Sequence, residues 1–198
     1  MLSKNIIKIS DLIDKPYFTV YDISNKLGIT IDGARVFCSR YVKKKLFIKI
    51  KQNYYCFYSQ WDKNSLTDYF SILSVLRVPS YVSLSNALYY YGITTQMPAT
   101  VVEGITLGMT KEYNINGRIF KYFKIKEKFY SNFKKEKNFF IAEKEKAFLD
   151  CIYLYSFGKY SLDLNAIDLN KIDIKKLKKL SKKYPNKTIR AMEKICRI

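Results

Sequence analysis

Apolar and polar positions in the first third of the chain follow a helical period three times over and then switch to the period of a strand. Ile6, Ile9, Leu12 and Ile13 form one stripe over Asn5–Leu12, ending near Asp14-Lys15-Pro16. Thr19 has the chemistry of an N-cap. Val20, Ile23 and Leu27 share one face of the helix it would start, and Gly28-Ile29-Thr30 reads as the turn that ends it. A third helix, predicted over Asp32–Lys44, divides when its residues are spaced 100° apart: Ala34, Phe37, Cys38, Tyr41 and Val42 fall on one side. Asp32, Arg35, Ser39, Arg40 and Lys43 fall on the other. Phe47–Ile50 and Tyr54–Tyr58 are rich in β-formers and flank Lys51-Gln52-Asn53, so they predict a hairpin with a basic tip. Asn53 suits the left-handed conformation that such tips often need.

Two helices, a basic helix and a basic hairpin, in that order, predict a winged helix-turn-helix over residues 1–60. In that arrangement the free face of the third helix enters a major groove. Arg35 and Arg40 have the fork geometry to bind guanine edges, and Ser39 suits a base or a phosphate. Thr30, Asp32, Lys43 and Lys44 border the same face, while Lys49, Lys51, Gln52 and Asn53 would lie along the DNA backbone from the hairpin.

The rhythm breaks at Tyr58–Ser65, and a second domain is predicted over residues 61–198. Leu66–Arg77 is helical in period and ends before Pro79; Leu84–Tyr91 is a helix stopped by Gly92. Ala99–Leu107 reads as a strand. Glu112–Ile115 and Arg118–Ile125 flank Asn116-Gly117, a strong hairpin signal, and Asn138–Ala142 is a further strand before a helix over Glu143–Tyr155. In the tail, Ile174, Leu177, Leu180 and Tyr184 mark one face and paired lysines the other. Pro185 separates that helix from a last one holding Ile189, Met192 and Ile195. The expected class is α+β: an N-terminal winged helix-turn-helix, then helices around a small antiparallel sheet.

Composition narrows the function. The 198 residues are 48% hydrophobic and carry 36 Lys and Arg against 17 Asp and Glu, a net charge of +19 that attracts polyanions. Abundant Lys, Ile, Asn and Tyr are also what an AT-rich genome imposes, so part of the excess is compositional. The chain has no histidine, which removes the commonest general base and most zinc sites. Cys38, Cys56, Cys151 and Cys196 form no CxxC pair and sit in apolar runs, as expected of buried thiols in a reducing compartment. With no apolar run long enough to span a bilayer and no leader-like N-terminus, a cytoplasmic protein without a membrane association is expected.

The run Glu145-Lys146-Ala147-Phe148-Leu149-Asp150 places two carboxylates near a lysine. Five residues of separation on a helix put Glu145 and Asp150 on different faces, so a structural role is expected rather than a shared metal or acid–base site. Phosphate-binding glycine loops, nucleotidyltransferase signatures and metal-spaced Cys/His clusters do not occur. No enzyme activity, no catalytic residue, no metal and no cofactor are expected.

In RYVKKKLFIKIKQNYY, in YVSLSNALYYYGI with Pro98 after it, and in EKAFLD, the chain resembles the AbiEi antitoxins of type IV toxin–antitoxin systems, which act in abortive phage infection. Lys45 and Asn53 stand where that family often has glycine, and Lys144 where a proline often precedes the glutamate. The resemblance implies a repressor of its own operon, bound to inverted repeats in double-stranded promoter DNA, whose C-terminal domain counteracts a nucleotidyltransferase-like toxin without a stable complex. It also implies a monomer that binds its half-sites cooperatively. Two other readings stay open: a winged-helix regulator with an unrelated effector domain, and a nucleic-acid-processing enzyme.

Overall fold

Local chemistry starts the helix after Thr19 where the sequence asks for it, whereas the stripe read over Asn5–Leu12 is divided between a helix over Leu2–Lys8 and a 3-10 turn over Ser10–Leu12. A computed structural model describes residues 2–197, and side chains from Asn5 onward. It divides into two compact units, residues 1–76 with 115–117, and residues 77–114 with 118–197 and the chain end.

The first unit begins with α1 (Leu2–Lys8), β1 (Phe18–Thr19), α2 (Val20–Leu27) and α3 (Ile31–Lys43). Thr19 and Asp22 close a reciprocal capping box. The Asp22 N–H donates to Thr19 Oγ1 at 3.3 Å and the Thr19 N–H donates to Asp22 Oδ2 at 2.7 Å. Gly28 ends α2 in the left-handed region, at φ 63°, a conformation that costs glycine little. The hairpin follows as β2 (Phe47–Lys51) and β3 (Tyr54–Phe57), and β1 pairs with β3 to make a three-stranded antiparallel sheet.

Val20, Ile23, Ala34 and Cys38 from α2 and α3, with Ile9 and Leu12 from the stretch after α1, close over Phe18, Phe47 and Phe57 from the sheet. Phe18 lies 4.9 Å from the Phe47 ring and 5.3 Å from the Phe57 ring, centroid to centroid, in the tilted and edge-on geometries that aromatic quadrupoles favour. Two short helices, α4 (Tyr58–Trp61) and α5 (Leu66–Leu76), complete the unit. Leu66–Leu76, read from sequence as the opening of the second domain, thus groups with the first; the Lys51 ammonium donates to the Val75 carbonyl near its end.

The second unit holds β4 (Ser80–Val82), α6 (Leu84–Tyr90), β5 (Val101–Thr106), β6 (Lys111–Ile115), β7 (Arg118–Lys124), β8 (Phe133–Glu136), β9 (Phe139–Ala142), α7 (Lys144–Ser156), α8 (Ile174–Ser181) and α9 (Asn186–Cys196). Its sheet has six strands in the order β6-β7-β5-β4-β9-β8. This corrects the small antiparallel sheet expected from the sequence, because β5 runs parallel to β7 and β4 parallel to β9.

The reason lies in which hairpin strand is apolar. The Asn116-Gly117 turn forms with both residues left-handed, at φ 46° and 85°, as a tight hairpin requires. Of the two strands it joins, β7 buries Phe120, Tyr122 and Phe123, whereas β6 exposes Lys111, Glu112 and Asn114. The apolar strand therefore takes the inner position beside β5, and the charged one is left at the edge, where charge discourages further pairing. At the opposite edge, β8 exposes Lys134 and Lys135.

Among the helices, α7 is buried along most of its length and touches α6, α8 and α9. No helix among the described residues is long and apolar enough to cross a membrane.

Candidate nucleic-acid interface

The two sides of α3 separate in the structure as their residue types imply. Ala34, Cys38 and Tyr41 are buried, with Phe37 and Val42 half-buried against the same core. Asp32, Arg35, Ser39, Arg40, Lys43 and Lys44 are exposed. So is Val36, half exposed at 50%, one turn from Ser39 and Arg40 on the same side. Sorting residues by polarity alone passed over it. Its spacing from Ser39, Arg40 and Lys43 was the available signal.

Within that exposed face, the side chains differ in what they are free to do. Thr30 caps α3, its hydroxyl accepting from the Gly33 N–H at 3.1 Å. Arg35 is already engaged on two sides: its Nη1 reaches Asp32 Oδ1 at 2.6 Å, and its Nε donates to Asn53 Oδ1 at 3.4 Å. It links the helix to the hairpin tip, so its side chain is less free than the sequence implied. Ser39, Arg40, Lys43 and Lys44 make no side-chain hydrogen bond or ion pair among the described residues.

The hairpin divides similarly. Lys49 and Gln52 are exposed. Asn53 adopts φ 65°, and its carbonyl accepts from the Val20 N–H at 3.1 Å, so the tip is moored to the start of α2. Lys51 is not available on the outside as expected. Its ammonium donates to the Val75 carbonyl and sits 4.4 Å from the Tyr54 ring centroid. Burial pulls its pKa below the usual lysine range. The register of the hairpin shifts between Lys49 and Lys51, an irregularity that accompanies this difference between the two lysines.

Lys45, immediately after α3, adopts φ 56°, a left-handed conformation that suits glycine better than lysine.

The second candidate set, Glu145, Lys146 and Asp150, behaves in the opposite way. Lys146 and Asp150 are 1% and 0% exposed and form an i, i+4 ion pair inside the unit. Asp150 Oδ2 also accepts from the Tyr81 hydroxyl at 3.0 Å and from Ser83 Oγ at 2.9 Å, and Lys146 Nζ donates to the Tyr184 hydroxyl at 3.2 Å. Burial holds the Lys146 ammonium below the ordinary lysine range against the pull of Asp150, and raises Tyr81 and Tyr184. Ser83 precedes α6 without capping it, because its hydroxyl is turned to Asp150.

Glu145 points elsewhere, as the five-residue spacing implies. With Glu143 it holds Lys176 of α8 at 2.9 Å from each carboxylate, which raises the Lys176 pKa. Tyr81, Ser83 and Tyr184 were not singled out from the sequence; only the folded arrangement brings them to Asp150. Compared with known proteins, the chain matches no family model and no curated protein. No group of His, Cys, Asp and Glu side chains among the described residues is arranged to hold a metal ion.

Proposed function

We propose that the chain is a DNA-binding transcriptional regulator in which α2, α3 and the β2–β3 hairpin work as a winged helix-turn-helix. The observation that carries this reading is the exposed side of α3, where Arg40, Lys43 and Lys44 stand without partners among the described residues, around Val36 and Ser39. Arg40 has the fork to bind a guanine edge, Val36 the methyl surface to meet a thymine methyl, and Ser39 the hydroxyl for a base or phosphate. Lys43, Lys44 and the hairpin's Lys49 supply cations for the phosphates. Arg35 positions the surface, because it joins the helix to Asn53 at the hairpin tip.

Joined to its resemblance to the AbiEi antitoxins, this makes the chain an autorepressor of a type IV toxin–antitoxin operon. It binds inverted repeats in its own promoter, and its second unit counteracts a nucleotidyltransferase-like toxin. Fluorescence anisotropy with the full chain tests the first half. A duplex from the region upstream of its own reading frame should bind more tightly than a shuffled duplex of equal length at the same salt. Equal affinity for both would overturn the specific reading. Co-expression with an adjacent nucleotidyltransferase-like reading frame tests the second half: growth is restored by the chain if the reading holds, and stays arrested if it does not.

A further inference from the structure

In a protein of net charge +19, one cavity has no cationic side chain on its walls. It lies in the second unit between α6, the loop over residues 94–98 and the stretch over residues 160–167, and has a volume of about 330 Å³. A bridge between Thr94 and Ile167 and a hydrogen bond from the Asp168 N–H to the Ile93 carbonyl, at 2.8 Å, hold the two loops together.

The polar side chains on its walls are four hydroxyls, one amide and one carboxylate. Ser85 Oγ and the Tyr160 hydroxyl each direct a proton to Glu103 Oε2, the latter at 2.8 Å. The two hydroxyls also lie 3.1 Å from each other, and the Tyr160 oxygen accepts from the Ser85 N–H at 3.4 Å; with their protons directed to the carboxylate, each oxygen keeps acceptor capacity beyond these bonds. Asp163 adds a carboxylate at the rim. Gln96 donates one amide proton to it, Nε2 to Oδ2 at 2.7 Å, which spends donor capacity and leaves the Gln96 carbonyl as a further acceptor. Leu88, Met97 and Ile167 supply an apolar wall.

Glu103 itself is 7% exposed, and burial raises its carboxyl above the usual range despite the hydrogen bonds from Ser85 and Tyr160 and the attraction of Lys121. An added cation would relieve that penalty.

We propose that this cavity binds a short aliphatic ammonium: a positively charged donor with a hydrocarbon body. The ammonium sits among the Ser85, Tyr160 and Asp163 oxygens, and the alkyl chain lies against Leu88 and Met97. Two sources present that chemistry, a free alkylamine and a lysine side chain of a partner. The positive field of the rest of the surface suppresses adventitious amine binding elsewhere, which makes the site readable in the full chain.

Isothermal titration calorimetry of the full chain tests it, with n-butylamine, 1,4-diaminobutane and the amide of Nα-acetyl-lysine as probes, and butyrate and 1-butanol as matched bodies without the cation. The amines should saturate one site while butyrate and butanol give no binding heat. Asp163→Asn should weaken the amines roughly tenfold, the factor expected for one hydrogen bond to a charged group. That variant retains the side-chain acceptor that caps the turn at Leu164–Ala166, and Asp163 is exposed, so the fold is kept. Tyr160→Phe should weaken binding as well. Tighter binding of the diamine than of the lysine amide assigns a small-molecule ligand, and the reverse order assigns a partner's side chain. Binding of butyrate equal to that of butylamine, absence of saturable amine binding, or unchanged affinity in Asp163→Asn would each overturn the proposal.

Discussion

Helices α3 and α7 are each 13 residues long and each carries charges of both signs, but they hold them in opposite ways. On α3 the cations lie outside, and Arg40, Lys43 and Lys44 have no partner among the described residues. On α7, Lys146 and Asp150 are enclosed and bonded to each other, and to Tyr81, Ser83 and Tyr184. A charge left unpaired at a surface is available to a ligand. A charge buried against a counter-ion and hydrogen-bonded is committed to the fold. The same residue types thus divide into exposed, unpartnered charges, to which we assign the binding role, and enclosed, bonded ones by burial and by the number of partners, and this division can be broken by mutation in either direction.

The largest effect is expected at α7. Asp150→Ala leaves the Lys146 ammonium buried without its counter-ion and strips the acceptor from two hydroxyls, which should cost about 3–5 kcal/mol of stability. Chemical denaturation of the full chain reads this directly. A loss below about 1 kcal/mol would mean that the pair is hydrated, and would move α7 to the α3 side of the comparison.

Next in size, Arg40→Ala should weaken binding to the promoter duplex by ~1–3 kcal/mol and relax base preference, with the unfolding midpoint unchanged. A drop in stability with intact DNA affinity would reverse the assignment.

The hairpin separates two lysines that look equivalent in sequence. Lys49→Ala should reduce affinity on every duplex and flatten the salt dependence by ~1 in the log–log slope, one phosphate contact. Lys51→Met should leave that slope unchanged, because its ammonium is directed at the Val75 carbonyl. Equal slopes for both variants would show that the shift in register does not matter to binding. The smallest effect belongs to Lys45. Its positive φ makes Lys45→Gly stabilising by about 0.5 kcal/mol, the left-handed cost removed less the extra freedom glycine has when unfolded; thermal unfolding measures it.

The local elements were legible because their signals are local. Thr19, Gly28, Asn53 and Asn116-Gly117 each specify a backbone conformation that near neighbours enforce, and the amphipathic period of α3 divided its faces correctly. What could not be read depends on residues distant in the chain. The β5–β7 pairing turns on which hairpin strand is the more apolar, and β8, not singled out from the sequence, is an edge strand with Lys134 and Lys135 exposed. Asp150 lies 69 residues from Tyr81, so no window along the sequence shows that they bond. The engagement of Arg35 and Lys51 was hidden for the same reason, since Asn53 and Val75 are 18 and 24 residues away.

The central claim is that the exposed side of α3, and not the general excess of lysine, binds DNA. One charge-matched comparison tests it: promoter-duplex anisotropy with Arg40→Glu/Lys43→Glu beside Lys175→Glu/Lys179→Glu. Both pairs lie on exposed helix positions and change the net charge equally. The account predicts loss of specific binding in the α3 pair and only a modest loss in the α8 pair. Equal losses in the two would contradict it.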